Sequence, residues 1–490
     1  MDLTRSSIVQ IRDAVRAKKV SAAEVARHFL ERVDKLDKKL NSFITINPQV
    51  IDDARALDGR IAKGDDIGPM AGVPIAVKDL LCTEGLRTTA GSKILENFIP
   101  PYTATVVNKL KEAGAVVLGK TSLDEFAMGS SNETSAYGAV KNPWNLDYVP
   151  GGSSGGSAVA IAARLAPGAI GTDTGGSIRQ PAGLCGVYGI KPTYGRVSRY
   201  GIIAYASSLD QAGPMANTAA DCAVMLEAIS GKCRFDSTTA NIGVPKWSQE
   251  IRQDLKGCRI GLPKEYFTEK LDADVTRVTQ AAIEAVKTRG AEIVEVSIPL
   301  VKYAVPVYYL IATSEASSNL ARYDGVRFGH RADFSKTPAK DLEEFYSLNR
   351  GQGFGVEVKR RIMLGTYALS SGYYDAYYQK ACQVRRLLRD EFLRAFESCD
   401  VLLSPVTASP AFKIGERISD PLEMYLNDIF TTSTNLAGLP GMAVPAGFSI
   451  GGLPIGVQLT AKHFDEQRIF DVASALENTL VKEERVPNVI

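Results

Sequence analysis

The sequence predicts an α/β protein built on one large, mostly buried sheet. Three observations support this. Past Gly64 the chain runs as short apolar segments punctuated by Gly and Pro: 73–79 (VPIAVKD), 113–121 (AGAVVLGKT), 165–176 (LAPGAIGTDTGG) and 186–193 (GVYGIKPT). Helical stretches such as 103–115 (TATVVNKLKEAGA) alternate with them, the pattern of strands buried between helices. Strand-like runs return near the C-terminus after a long helical interval, which points to one sheet with a helical layer inserted.

Taken in order, residues 1–15 read as an amphipathic helix and lack the apolar core and cleavage site of a secretion signal. Ser21 and Glu24 form an S-x-x-E capping box, after which Val25, Phe29, Val33 and Leu36 recur at helical spacing. This helical segment extends to about residue 64, and the alternating core follows over about 65–230. Residues 231–257 are polar and read as a connection, before strand-like runs at 258–263 (CRIGLP) and 291–299 (AEIVEVSIP). From Pro306 to Phe396 the texture is helical and aromatic, so a helical layer is expected over about 306–430. The last strands are expected within 400–410, 441–449 and 452–461. At about 150 residues per domain the length would suggest three domains, but large α/β folds exceed that figure, and a single domain over 1–490 is expected.

Composition excludes several classes. Hydrophobic residues at 45% and charged residues at 23% describe an ordinary globular chain. The net charge of +2 argues against a protein whose main task is gripping nucleic-acid phosphates, while leaving room for a modest RNA contact. The longest small-residue run, 157–171, is cut by Arg164 and Pro167 and falls short of the roughly 18 residues of a membrane span. Seven cysteines without a CxxC suggest neither a disulfide framework nor a zinc knuckle, and a reducing cytoplasm is expected. Only His28, His330 and His463 exist, which leaves little room for a metal site built on several histidines, and a Ser-His-Asp triad would have to use one of the three.

Two motif matches fail on context. Residues 114–121 fit the P-loop expression G-x-x-x-x-G-K-[ST], yet the four residues between the glycines are Ala-Val-Val-Leu, which form a strand where a P-loop must curl around phosphate. The rival reading, an ATP-binding protein using Gly114–Thr121, rests on that match alone. GGSSG at 151–155 fits the nucleophile-elbow expression, but a Pro/Asn-rich loop precedes it where an elbow needs a strand. The sequon at Asn132 is a pattern only.

Residues 151–182 differ in kind: two small-residue clusters, GGSSGG and DTGGS, are joined by a segment of helical composition. Glycine runs ending in Ser allow close backbone approach and present several N–H groups together, the raw material of an oxyanion hole. This segment resembles the amidase signature without departure from that pattern. Residues 72–79 (GVPIAVKD) resemble the lysine-bearing strand of the same family, and similarity extends over essentially the whole chain.

The resemblance implies a single large mixed β-sheet covered by helices on both faces. It also implies a Ser–cis-Ser–Lys triad: Ser177 as nucleophile, Ser153 as bridging serine after a cis peptide bond, and Lys78 as base. The amides of Thr174, Gly175, Gly176 and Ser177 would form the oxyanion hole. A serine hydroxyl needs a neighbouring base, and where histidines are so few a lysine is the natural alternative. Lys78 serves only if neutral, which burial behind Ile75-Ala76-Val77 would favour. The residues alone leave it equally open to an ion pair with Asp79 or Asp173. No metal or organic cofactor is implied for this chain.

Residues 124–145, 314–329, 358–378 and 424–428 are similar to the family members that hydrolyse glutamine within tRNA-dependent amidotransferases. For such a member the resemblance implies Arg361 on the glutamine carboxylate, Asp428 on its α-amino group, and Tyr308, Gly129 and Ser130 beside them. An Arg/Asp pair is what a free amino acid demands once its two charges are desolvated. Tyr309 and Arg360 compete with their identical neighbours for these places. The implied partners are the B and C subunits of a heterotrimer. Misacylated tRNA (Glu-tRNA(Gln), Asp-tRNA(Asn) or both) would be held mainly by the B subunit, and ATP and Mg used by the partner. Two rivals stay open: a stand-alone amidase acting on a small-molecule amide, whose pocket would lack the Arg361/Asp428 pair, and a catalytically idle scaffold.

Overall fold

The computed structural model describes residues 1–267, 271–335, 338–417, 420–480, 485–487 and 489. Eleven strands form one sheet: β1 (Phe43–Ile46), β2 (Pro74–Lys78), β3 (Val116–Thr121), β4 (Gly168–Asp173), β5 (Tyr188–Lys191), β6 (Gln211–Ala216), β7 (Arg259–Pro263), β8 (Glu292–Val296), β9 (Val401–Pro405), β10 (Gly441–Phe448) and β11 (Pro454–Ala461). Their order is β1-β3-β2-β4-β6-β5-β10-β11-β9-β7-β8. β2 runs parallel to β3 and β4, whereas β6, β5, β10, β11 and β9 pair antiparallel in succession. The sheet is therefore mixed. The central strands β2 to β6 are buried along their whole length, as strands covered on both faces must be.

The expected Ser21/Glu24 capping box is present, and a second one that the sequence reading did not name, Ser7 with Gln10, starts the first helix at Ile8. The middle of the chain supplies the helices Ala304–Asn319, Leu342–Gly353, Val356–Leu369 and Lys380–Ser398. The P-loop match falls on β3, and Lys120 forms an ion pair with Asp79 at 3.4 Å and donates to the carbonyl of Leu81 at 2.7 Å. All seven cysteines are free.

Topology brings the serine loops to the end of β2. Val77 pairs with Ile170, so Lys78 at the end of β2 comes out beside the end of β4. The loop after β4 carries Ser177, and the loop before the buried helix Gly155–Ala162 carries Ser153. That helix sits close against the sheet because Gly156 has no side chain: a Cβ there would lie 2.5 Å from the Ser122 carbonyl oxygen.

Candidate active site

Lys78 is wholly buried, and its Nζ donates to Ser153 Oγ at 2.8 Å, Ser154 Oγ at 2.9 Å and Thr172 Oγ1 at 3.0 Å. The two acids that could have paired with it are otherwise engaged: Asp79 with Lys120, and Asp173 with Arg179 at 3.0 Å. Burial lowers the Lys78 ammonium to about 7, and the carboxylates of Asp124, Asp173 and Asp210 oppose that shift only partly. Ser154 keeps the arrangement in order, its hydroxyl donating to the Thr172 carbonyl at 3.0 Å while its oxygen accepts from Lys78.

The Gly152–Ser153 peptide is cis. Lys78 and Ser153 are fully buried, and Ser177 keeps 7% of its surface exposed. The two loops are tied by the Ser154 N–H donating to the Ser177 carbonyl at 3.1 Å.

Asp173 organises the loop after β4. It accepts from the Gly176 N–H at 2.9 Å, the Ile178 N–H at 3.2 Å and the Arg179 guanidinium at 3.0 Å, and Asn435 adds another donor at 2.7 Å. Burial alone would raise this carboxyl, but the Arg179 charge overrides it and holds Asp173 at about 2. The Gly176 N–H is thus committed to Asp173. The N–H groups of Thr174, Gly175 and Ser177 have no acceptor among the described residues. Gly176 adopts φ +137°, a backbone region other residues avoid.

A cavity of about 240 Å³ is lined by Gly129, Ser130, Glu125, Glu357, Arg361 and Tyr425, among others. Asp124, behind that lining, braces it by accepting from the Asn132 N–H at 2.9 Å and from Thr134 Oγ1 at 2.8 Å. Asp428 lies outside that lining and meets it through a short hydrogen bond from Ser130 Oγ, and burial pushes its carboxyl up to about 7. Gln180 links this lining to the cis peptide: its Nε2 donates to the Ser130 carbonyl at 2.8 Å and its Oε1 accepts from the Gly152 N–H at 2.9 Å.

Arg361 is buried, its Nε donating to Glu357 at 2.8 Å and its Nη1 to the Tyr205 hydroxyl at 2.9 Å. The guanidinium lies over the rings of Tyr309, Tyr425 and Tyr205 at 5.2, 5.3 and 5.7 Å. Arg360 also binds Glu357, but its side chain is 41% exposed. Both neighbouring tyrosines take part: Tyr309 carries the guanidinium, and Tyr308 packs on Gly175, where a Cβ would lie 2.6 Å from its Cζ.

Sequence reasoning misses Ser154, Thr172, Gln180, Glu357, Thr431 and Asn435. Glu357 alone carries a usable local signal, four residues before Arg361 on one helix face. Among the described residues no cluster of three or more His, Cys, Asp or Glu is placed to hold a metal, and no helix is long and apolar enough to cross a membrane.

The Amidase family model matches residues 24–470. The chain is 63% identical over 490 residues, all of both chains, to the A subunit of glutamyl-tRNA(Gln) amidotransferase from Bdellovibrio bacteriovorus. It is 56% identical to the protein of the same name from a Geobacter species, covering 97% of this chain and 98% of that one. Among solved structures it superposes on the A subunit of glutamyl-tRNA(Gln) amidotransferase from Thermotoga maritima with TM-score 0.82 at 41% identity, covering 100% and 99% of the two chains. Peptide amidase from Stenotrophomonas maltophilia gives TM-score 0.83 at 29% identity, with 100% and 99% covered.

Proposed function

This chain belongs to the amidase family, and from that premise we propose that it is the glutaminase subunit of a tRNA-dependent amidotransferase, releasing ammonia from glutamine for a partner subunit. The names of full-length relatives at 56–63% identity support this reading. So does a cavity that draws on both Arg361 and, through Ser130, Asp428, as an amino-acid substrate requires. The observation that carries the chemistry is Lys78: buried, free of any carboxylate partner among the described residues, lowered to about 7 and 2.8 Å from Ser153 Oγ.

Ser177 Oγ attacks the side-chain amide carbon of glutamine. Its proton passes to Ser153, whose own proton passes to Lys78 Nζ. The N–H groups of Thr174, Gly175 and Ser177 face no acceptor among the described residues and are free to meet the oxyanion, while that of Gly176 braces the loop against Asp173. As the C–N bond breaks, the proton on Lys78 returns through Ser153 to the departing nitrogen, giving ammonia and an acyl-enzyme that water hydrolyses to glutamate. Arg361 holds the α-carboxylate and Asp428 the α-ammonium, with Tyr308, Gly129 and Ser130 around them. The chain requires no cofactor of its own for this half-reaction. In the assembly, B and C subunits complete a cytoplasmic heterotrimer; misacylated tRNA is held mainly by the B subunit, and a partner subunit uses ATP and Mg to amidate it.

The test is ammonia release from glutamine by the chain in complex with its partner subunits. Ser177→Ala is expected to lower it by at least about 10³-fold. Glutamine hydrolysis that survives this substitution refutes the mechanism.

A further inference from the structure

The peptide joining Gly175 to Gly176 is gripped at both ends. Its N–H donates to Asp173 Oδ1 at 2.9 Å, and its carbonyl accepts from Thr431 Oγ1 at 2.7 Å. Asp173 is a near neighbour in the loop, but Thr431 lies 256 residues from Gly175 in sequence. It belongs to the segment that carries Asp428: the Thr431 N–H and Oγ1 reach the Asp428 carbonyl at 3.1 and 3.2 Å. The carbonyl of Thr431 is in turn fixed by Arg179 Nη1 at 3.1 Å, the same guanidinium that holds Asp173. The loop is seated directly on this side chain, since a Cβ on Gly176 would collide with Thr431 Oγ1.

A peptide between two glycines meets the smallest barrier to rotation of any in the loop. Holding its N–H and its carbonyl fixes ψ of Gly175 and φ of Gly176, two of the backbone torsions that set the direction of the Gly175 N–H relative to that of Ser177. Those two N–H groups have no acceptor among the described residues. A donor pair converges on a developing oxyanion only if the peptide between them stays put, and an error of about an ångström in such a site costs about a hundredfold in rate.

We propose that Thr431 is a positioning residue for acyl transfer: its hydroxyl locks the Gly175–Gly176 peptide so that the flanking amides face the oxyanion. The proposal rests on the amidase reading above. Thr431 acts through the Gly175 carbonyl, its shortest hydroxyl contact at 2.7 Å, so the loss of its hydroxyl is expected mainly in kcat.

The experiment compares Thr431→Val, which keeps the shape and removes the hydroxyl, with Thr431→Ser, which keeps the hydroxyl, in the complex with partner subunits. Steady-state kinetics on glutamine are expected to show kcat lowered by about 10- to 100-fold in Thr431→Val, KM within about threefold of the parent, and kcat restored to within about threefold in Thr431→Ser. Unchanged kcat in Thr431→Val, an equal loss in both variants, or a loss confined to KM overturns the proposal. Should Thr431→Val fail to fold, Thr431→Ala carries the same comparison without a branched side chain against Gly176. Ser177→Ala, measured alongside, reports on the reading itself: hydrolysis persisting there fails the amidase mechanism, whereas hydrolysis abolished there with Thr431→Val fully active fails only the lock.

Discussion

Lys78 on β2 and Lys120 on β3 stand on neighbouring parallel strands, with Val77 opposite Lys120 and Lys78 opposite Thr121, and both are wholly buried. Their surroundings differ in one respect. Lys120 has a carboxylate, Asp79, at 3.4 Å, together with the Leu81 carbonyl and Thr88 Oγ1, each at 2.7 Å. Lys78 has hydroxyl and carbonyl oxygens but no paired carboxylate among the described residues. Burial lowers both ammonium groups, and at Lys120 the Asp79 charge opposes the shift directly. Two buried lysines on adjacent strands thus have opposite uses: one charge is kept and neutralised by its pair, the other is discouraged so that a base results.

The largest expected effect separates these two. Lys78→Met should lower glutamine turnover by about 10³-fold, within the range of a lost general base. Lys120→Met should leave turnover within a few-fold at a permissive temperature, but strand Asp79 and cost about 3–5 kcal/mol of stability by denaturant unfolding. The stability effect of Lys78→Met has the opposite sign. Lys78 falls from its ordinary 10.5 to about 7 on folding, so the native state binds fewer protons than the unfolded chain between those values. Its burial therefore costs the fold most below pH 7, and that cost fades as pH rises toward 10.5. Lys78→Met should melt at or above the parent at pH 7, with the advantage shrinking on the alkaline side. Equal loss of turnover in the two variants would break the comparison.

The same contrast recurs in the helical layer, between Arg361 and Arg360. Both bind Glu357, but Arg361 is buried among three tyrosine rings while Arg360 is half in solvent. Arg361→Lys should raise KM for glutamine by about 10- to 100-fold with kcat little changed, the size of a lost charge-assisted hydrogen bond. Arg360→Lys should stay within about threefold, as an exposed ion pair implies. Steady-state kinetics on the two variants check this, and matching KM values would sink the distinction.

How much of this can be read from the sequence depends on how locally each part is encoded. The serine loops and the strand of Lys78 lie in continuous motifs, and the alternation of apolar runs gives the sheet its central strands. β6 is not legible: Gln211–Ala216 carries Gly213 and Pro214 in its middle, against strand propensity. Its ladder with β5 involves only Met215 and Ala216, so Pro214 lies outside that pairing. The helix Ala273–Thr288 also escapes the sequence reading, although Val275, Val278, Ala282 and Ile283 recur at helical spacing. Around the site, Ser154 is overshadowed by Ser153 beside it. Thr431 and Asn435 act on a loop more than 250 residues earlier, a pairing that only tertiary structure creates. The choice between Tyr308 and Tyr309 is ill-posed, because consecutive helical residues face different neighbours, one the Gly175 loop and the other Arg361.

The smallest expected effect sharpens the comparison within the pocket. Asp428, like Lys78, is buried without a salt bridge among the described residues, and burial lifts its carboxyl to about 7. The Ser130 hydroxyl pulls the other way, because its hydrogen bond favours the carboxylate. Only the ionised acid can pair with the α-ammonium of glutamine, so KM should rise as pH falls through about 7 and level off above it. Lys78 titrates in the same range, but its protonation blocks the chemical step, so its signature lies in kcat and that of Asp428 in KM. Ser130→Ala removes the donor and should move the KM limb to higher pH by less than about one unit, leaving the alkaline plateau within about threefold. A limb that moves to lower pH, or that appears in kcat instead, would mean that Asp428 does not meet the substrate's ammonium group.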